Sequence, residues 1–215
     1  MNPGLIIFDC DGVLVNSEPI ASRIFHELIT EIGLNISLEE TVRLFEGLSD
    51  QDSIRIVEEK LGRPVPSSFM ENHDKRLFEA FSRELDPIQN ISVALERISI
   101  PTCVASSGPY EKIRLSLGVT QLLPIFEGRI FSAVEVNRGK PFPDLFLYAA
   151  EKMGVPSKNC IVVEDSVYGV QAGVAAGMVV LGYAERTDPE VLRHNGATVF
   201  DDMLELPELI KNLGL

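Results

Sequence analysis

Leu5-Ile6-Ile7-Phe8-Asp9-Cys10-Asp11-Gly12-Val13-Leu14 places two carboxylates, one residue apart, directly behind an uninterrupted apolar run. Four apolar residues in succession, with no polar alternation, describe a strand buried on both faces, as in a parallel sheet. An ionised side chain at the end of such a strand costs several kcal/mol, roughly, unless a cation or a proton lies beside it. Asp9 and Asp11 therefore require a counter-charge, and the rest of the chain can be searched for it.

Working outward, apolar runs of strand length recur at 102–105, 130–131, 160–163, 178–181 and 198–200. Segments of helical spacing lie between them, such as Leu145, Tyr148, Ala149 and Met153 ending at Gly154. That alternation predicts an α/β core, a doubly wound parallel sheet with right-handed crossovers. From Glu18 to about Asp86 the alternation stops. Phe25, Leu28, Ile29 and Ile32 form one apolar helical face closed by Gly33, and Ile54, Val57 and Leu61 form another closed by Gly62 and Pro64. Ser37 with Glu40, Ser49 with Asp52 and Ser68 with Glu71 have the spacing of helix-capping pairs. The expected organisation is a core of residues 1–16 and 87–215 interrupted by an all-helical insert, residues 17–86, whose two linkers act as a hinge.

With 215 residues, 45% of them hydrophobic, the chain can bury a sizeable core. The net charge of −13 argues against nucleic acid or an anionic membrane as the main partner and leaves a small anionic substrate dependent on a local positive site. No apolar run approaches the ~20 residues that span a bilayer, and Met1-Asn2-Pro3-Gly4 carries no basic segment, so a cytoplasmic location is expected. Oligomeric state is open between monomer and weak dimer. Cys10, Cys103 and Cys160 are widely spaced in apolar surroundings, as buried reduced thiols would be.

Ligands of doubly wound sheets bind beyond the carboxyl ends of the strands, so the polar residues following each apolar run are the candidates. These are Asp9 and Asp11; Ser106, Ser107 and Gly108, ahead of Pro109 at a first helical position; Lys140 within Arg138-Gly139-Lys140-Pro141; and Glu164 with Asp165. The acids with one lysine and a hydroxyl meet the needs of phosphoryl transfer through a carboxylate, with Mg2+ held by hard oxygen ligands and Lys140 with the Ser106 loop clamping the phosphoryl oxygens. A thiol phosphatase is excluded, because the arginine it needs six positions after Cys10 is Asn16. A nucleotide P-loop is excluded as well, because Pro141 follows Lys140. His26, His73 and His194 have no partners at metal-ligand spacing.

Asp-x-Asp-Gly-Val-Leu, a serine after the second strand, Lys-Pro-x-Pro-Asp and Glu-Asp-Ser-x-x-Gly, in this order over residues 9–169, resemble the four motifs of the haloacid dehalogenase superfamily. The helical insert resembles the cap of its β-phosphoglucomutase-like branch. The resemblance implies Asp9 as nucleophile, Asp11 as general acid and base, and Ser106 and Lys140 as phosphoryl-binding groups. It also implies Mg2+ held by Asp9, the Asp11 carbonyl and Asp165, with Glu164 a ligand or one water removed. Ser107, Gly108, Glu18, Gly47 and Asp50 are candidates for substrate contact. The chain departs from the branch at Asn16, where an acid is usual, and at Phe142, where a small or acidic residue is usual. The mutases carry a His at the position of Ala21, an Arg at that of Asp50 and a Lys near Pro109, all missing here. A phosphatase acting on a sugar or polyol phosphate is therefore expected ahead of a hexose-phosphate mutase. A dehalogenase needs neither Mg2+ nor Asp11, and a phospho-receiver has no helical insert, so both stand further back.

Overall fold

The structure, a computed structural model, describes residues 3–45 and 48–213. In chain order the elements are β1 (Leu5–Phe8), α1 (Glu18–Glu31), α2 (Leu38–Phe45), α3 (Asp50–Leu61), α4 (Phe69–Glu84), α5 (Ile91–Arg97), β2 (Thr102–Ser106), α6 (Tyr110–Val119), α7 (Leu123–Phe126) and β3 (Ile130–Ser132). After these come α8 (Asp144–Lys152), β4 (Cys160–Glu164), α9 (Val167–Ala175), β5 (Val179–Tyr183), α10 (Pro189–His194), β6 (Thr198–Phe200) and α11 (Leu206–Asn212). Two compact units result, Met1–Asn16 with Asp86–Leu215, and Ser17–Leu85. Among the described residues no helix is long and apolar enough to cross a membrane.

The first unit is one parallel sheet in the order β3-β2-β1-β4-β5-β6. β1 is central because its four residues are fully buried and apolar on both faces. Leu5 and Ile7 join Cys103, Ala105, Val162, Phe146 and Ala149 in one layer, while Phe8 meets the edge of Phe126 on the other. Each such side chain contributes roughly 1.5–3 kcal/mol on burial. The chain steps from β1 to β2 and β3 on one side, then returns to place β4 on the other side of β1. The order of connection therefore reverses between β1 and β4, and the crevice beyond their carboxyl ends is the ligand position of this architecture. All three cysteines are buried and unbridged.

The second unit packs Ile20, Ile24, Leu28 and Ile29 of α1 with Val57, Leu77 and Phe81 among its buried residues. Phe25 is only half-buried and instead makes edge contacts with Phe45 and Phe69. Ser37 and Ser49 accept the backbone N–H of Glu40 and Asp52, both at 3.1 Å, as their spacing requires. Ser68 does not cap α4 with its side chain. The chain already turns there, with Phe69 N–H on Pro66 C=O at 2.9 Å and Ser68 near helical geometry, so its hydroxyl is not aimed at the helix start. Pro109 likewise stands one residue earlier than expected, as the extended residue before α6. Where the chain leaves and rejoins the first unit, the two strands run side by side: Asn16 N–H donates to Asp86 C=O at 2.9 Å, and Ile88 N–H to Leu14 C=O at 3.0 Å.

Candidate active site

β1 ends by delivering Asp9 to the rim, with Asp9 N–H still donating to Val163 C=O of β4 at 3.0 Å. The backbone then folds back in a tight turn, Leu14 and Val15 N–H both donating to Cys10 C=O and Gly12 N–H to Val15 C=O. Gly12 sits at φ +75°, and a β-carbon there would lie 2.0 Å from the Asp165 carboxylate. Glycine thus supplies both the left-handed turn and the space in which Asp165 stands.

The charged centre is built across the β1–β4 crevice. Lys140 Nζ lies 2.8 Å from Asp9 Oδ1 and 2.6 Å from Glu164 Oε1, and 5.0 Å from the centre of the Phe146 ring. The other Glu164 oxygen accepts from Ser166 N–H at 2.8 Å and from Ser166 Oγ at 2.9 Å. Ser166 Oγ in turn accepts from Gly169 N–H at the start of α9. A β-carbon on Gly169 would lie 1.8 Å from the Glu164 carboxyl, so the bare helix backbone is the floor on which Glu164 rests.

On the other side of β1, Ser106 is buried at the end of β2 and accepts Gly108 N–H at 3.2 Å. An oxygen that accepts this bond keeps its own hydrogen for an outside acceptor. Ser132, buried at the end of β3, donates to Gly108 C=O at 2.6 Å and accepts from Val134 N–H at 3.3 Å, bracing the turn between β2 and α6. Ser107 is exposed and Gly108 half-buried. From the first turn of α6, Lys112 Nζ reaches Asp11 Oδ2 at 2.9 Å.

Burial pushes the Asp9 carboxyl up to about 7; Lys140 draws it down and Glu164 opposes that. For Lys140 burial acts to lower the pKa, but Asp9 and Glu164 outweigh it and hold the ammonium above the ordinary lysine range. Burial, reinforced by Asp11 and Asp9, raises the Cys10 thiol well above its usual value, so it stays protonated and serves as packing. Asp9 and Glu164 face Lys140, and Asp11 faces Lys112, so each lysine of the rim stands against carboxylates. Asp9, Glu164 and Asp165 each offer an oxygen within 4.8 Å of the others. Hard carboxylate donors at this spacing suit Mg2+, and since both Glu164 oxygens are already engaged, Asp9 and Asp165 are the better placed of the three.

The core rim thus gathers Asp9, Asp11, Ser106, Lys140, Glu164 and Asp165 from four strand ends. Glu18 opens α1 and Asp50 opens α3 of the helical unit, while Gly47 lies outside the described residues. Phe142 is exposed, with the Arg138 guanidinium 4.5 Å over its ring and bonded to Asp144. Lys112 and Ser132 stand outside the sequence candidates, and Ser166 lies within Glu-Asp-Ser-x-x-Gly with no role of its own there. Lys112 leaves no signal in the sequence, because it stands beside Glu111 in the first turn of α6 and Asp11 lies 101 residues away. No lysine replaces Pro109 itself, but one stands three residues on and does face the rim.

The sequence profile of the haloacid dehalogenase-like hydrolases matches residues 6–183. The chain is 35% identical over 210 residues to the 6-phosphogluconate phosphatase of Escherichia coli K12, covering 97% of this chain and 95% of that protein. Among solved structures, a haloacid dehalogenase-like protein of unknown function from Agrobacterium tumefaciens superposes with a TM-score of 0.89 at 36% identity, each chain fully covered. A haloacid dehalogenase family hydrolase from Deinococcus radiodurans, with bound phosphate and sodium, gives 0.82 at 28% identity over 98% of this chain and 96% of that one. The reversal of strand order at β1, the acids at that point and these likenesses converge: the chain belongs to the haloacid dehalogenase-like hydrolases.

Proposed function

We propose that this protein is a Mg2+-dependent phosphatase that hydrolyses a small phosphomonoester, a sugar or polyol phosphate, through an aspartyl-phosphate on Asp9. The observation that carries the reading is the division between two neighbouring carboxylates. Asp9 is buried with one oxygen fixed by Lys140, and Asp11 is half-buried and paired with a separate lysine.

Bound by Asp9, Asp165 and the Asp11 carbonyl, Mg2+ would neutralise the acids and the phosphoryl oxygens together. Lys140, the Ser106 hydroxyl and the free backbone N–H groups at the start of α6 hold the remaining phosphoryl oxygens. An Asp9 oxygen bonds to phosphorus as the ester P–O bond breaks, and the Asp11 carboxylic acid gives its proton to the leaving alcohol oxygen. The Asp11 carboxylate then takes a proton from a water whose oxygen attacks phosphorus, the Asp9–phosphorus bond breaks, and phosphate leaves. Glu164 anchors Lys140 and is itself held by Ser166.

The test is phosphate release from a panel of phosphate esters, 6-phosphogluconate included because of the similar Escherichia coli enzyme, with Mg2+ and with EDTA. Many phosphates per protein molecule, lost with EDTA, are expected. Conversion of β-glucose 1-phosphate to glucose 6-phosphate in the presence of a bisphosphate primer, with little free phosphate, would instead identify a mutase. Ala21 and Asp50 stand against that outcome, while Lys112 on the rim removes the missing lysine near Pro109 from the argument.

A further inference from the structure

We propose that Lys112 is a positioning residue for Asp11, holding the carboxylate in the orientation from which it exchanges a proton; this rests on the reading of Asp11 as acid and base. Three observations bear on it. The Nζ–Oδ2 distance is 2.9 Å, and both side chains are about one-fifth exposed, so the pair is partly shielded from solvent. The lysine occupies the third residue of α6, at the positive end of the helix dipole and beside Glu111 of the same turn, and it directs its ammonium to Asp11. The lysine stem also crosses the phosphate-binding turn: a β-carbon on Gly108 would lie 3.3 Å from Lys112 Cδ and 3.7 Å from Ser106 Oγ. Gly108 is therefore bare where the stem passes. Lys112 ties the turn after β2 to the turn after β1, and a group that fixes the phosphoryl oxygens is coupled to the group that protonates the leaving oxygen.

The Gly12 turn holds the Asp11 backbone, and Lys112 holds one oxygen of its side chain. A displacement of about 1 Å at a proton-transfer group can cost ~100-fold in rate, so the lysine acts on kcat rather than on binding.

The experiment compares wild type, Lys112→Met, which keeps the stem, and Lys112→Arg, which keeps the charge, all with Mg2+. With an alkyl phosphate, Lys112→Met should lower kcat about 10- to 100-fold with KM within about threefold, and Lys112→Arg should recover much of the loss. With p-nitrophenyl phosphate, whose leaving group departs without a proton, the rapid-mixing burst should keep its wild-type rate. A rise in KM at unchanged kcat, or an equally slowed burst, would overturn the proposal. Thermal unfolding of metal-free wild type, Asp11→Asn, Lys112→Met and the double variant reads the pair without turnover. Losses that do not add are expected, and additive losses would show that no pair forms. Absence of turnover in wild type would sink the phosphatase reading, and the unfolding cycle would still decide whether Lys112 holds Asp11.

Discussion

The two units handle charge in opposite ways. In the helical insert, Arg23 bridges to Glu84 and Arg76 to Glu31, with side chains 37–54% exposed, and pairs so open to water contribute little. At the core rim, Lys140, Asp9 and Glu164 keep 6%, 11% and 0% of their side-chain surface. Desolvating three charged groups costs more than their attraction reliably returns, and a well-packed apolar trio of similar volume would be at least as stable. The insert's ions decorate helices, whereas those of the core are retained against their cost. The difference separates charges that stability does not explain from charges that cost little.

The largest effect expected from breaking this contrast is at Asp9. Asp9→Asn should abolish turnover while circular dichroism and the unfolding midpoint stay near wild type; activity within tenfold would refute the nucleophile assignment. Next is Gly169→Ala, which drives a methyl into the Glu164 carboxyl and so displaces Lys140. It should cost about 1–3 kcal/mol by overpacking and lower kcat/KM by ~100-fold or more, measured by denaturation and steady-state kinetics. An active Gly169→Ala would mean that Glu164 can move without consequence.

A smaller effect separates proton from metal at the rim. Asp9 has a raised pKa of about 7 in the metal-free fold, so the stability it contributes is fully present below the unfolded carboxyl value and is lost as pH rises through about 7. A proton therefore occupies Asp9 at pH 5.5 and vacates it at pH 8. Mg2+ should raise the unfolding temperature more at pH 8 than at pH 5.5, and equal gains would count against Asp9 as a ligand. The smallest effect is in the insert: Arg76→Ala should shift the midpoint by no more than about 2 °C and leave kcat/KM within twofold. The Arg76 hydrogen bonds hold Glu31 below the usual glutamate range despite a small opposing desolvation, so even this contribution should fade as pH falls through the lowered value.

Much of the core rim is legible in the sequence because strand ends are local features. Asp9, Ser106 and Glu164 each close or follow an apolar run, and parallel order then brings them together without further information. Lys112 was opaque because its partner lies 101 residues away and its helix placement argues against it. Ser132 was opaque because a buried serine at a strand end is a common packing residue until the carbonyl it holds is known. The Ser68 pair failed since spacing alone does not report the backbone angle that aims a cap. Phe25 belongs to the apolar face that its period predicts and is half-buried there against the rings of Phe45, Phe69 and His73.

The bond from Asn16 N–H to Asp86 C=O has a consequence for how such proteins change. Exit and re-entry points held 2.9 Å apart, donor to acceptor, make the interval between them invisible to the sheet, since the distance to be closed is the same for any inserted length. The segment between is a replaceable cassette, open to exchange or to reduction to a tight turn, while the chemistry at the strand ends stays in place.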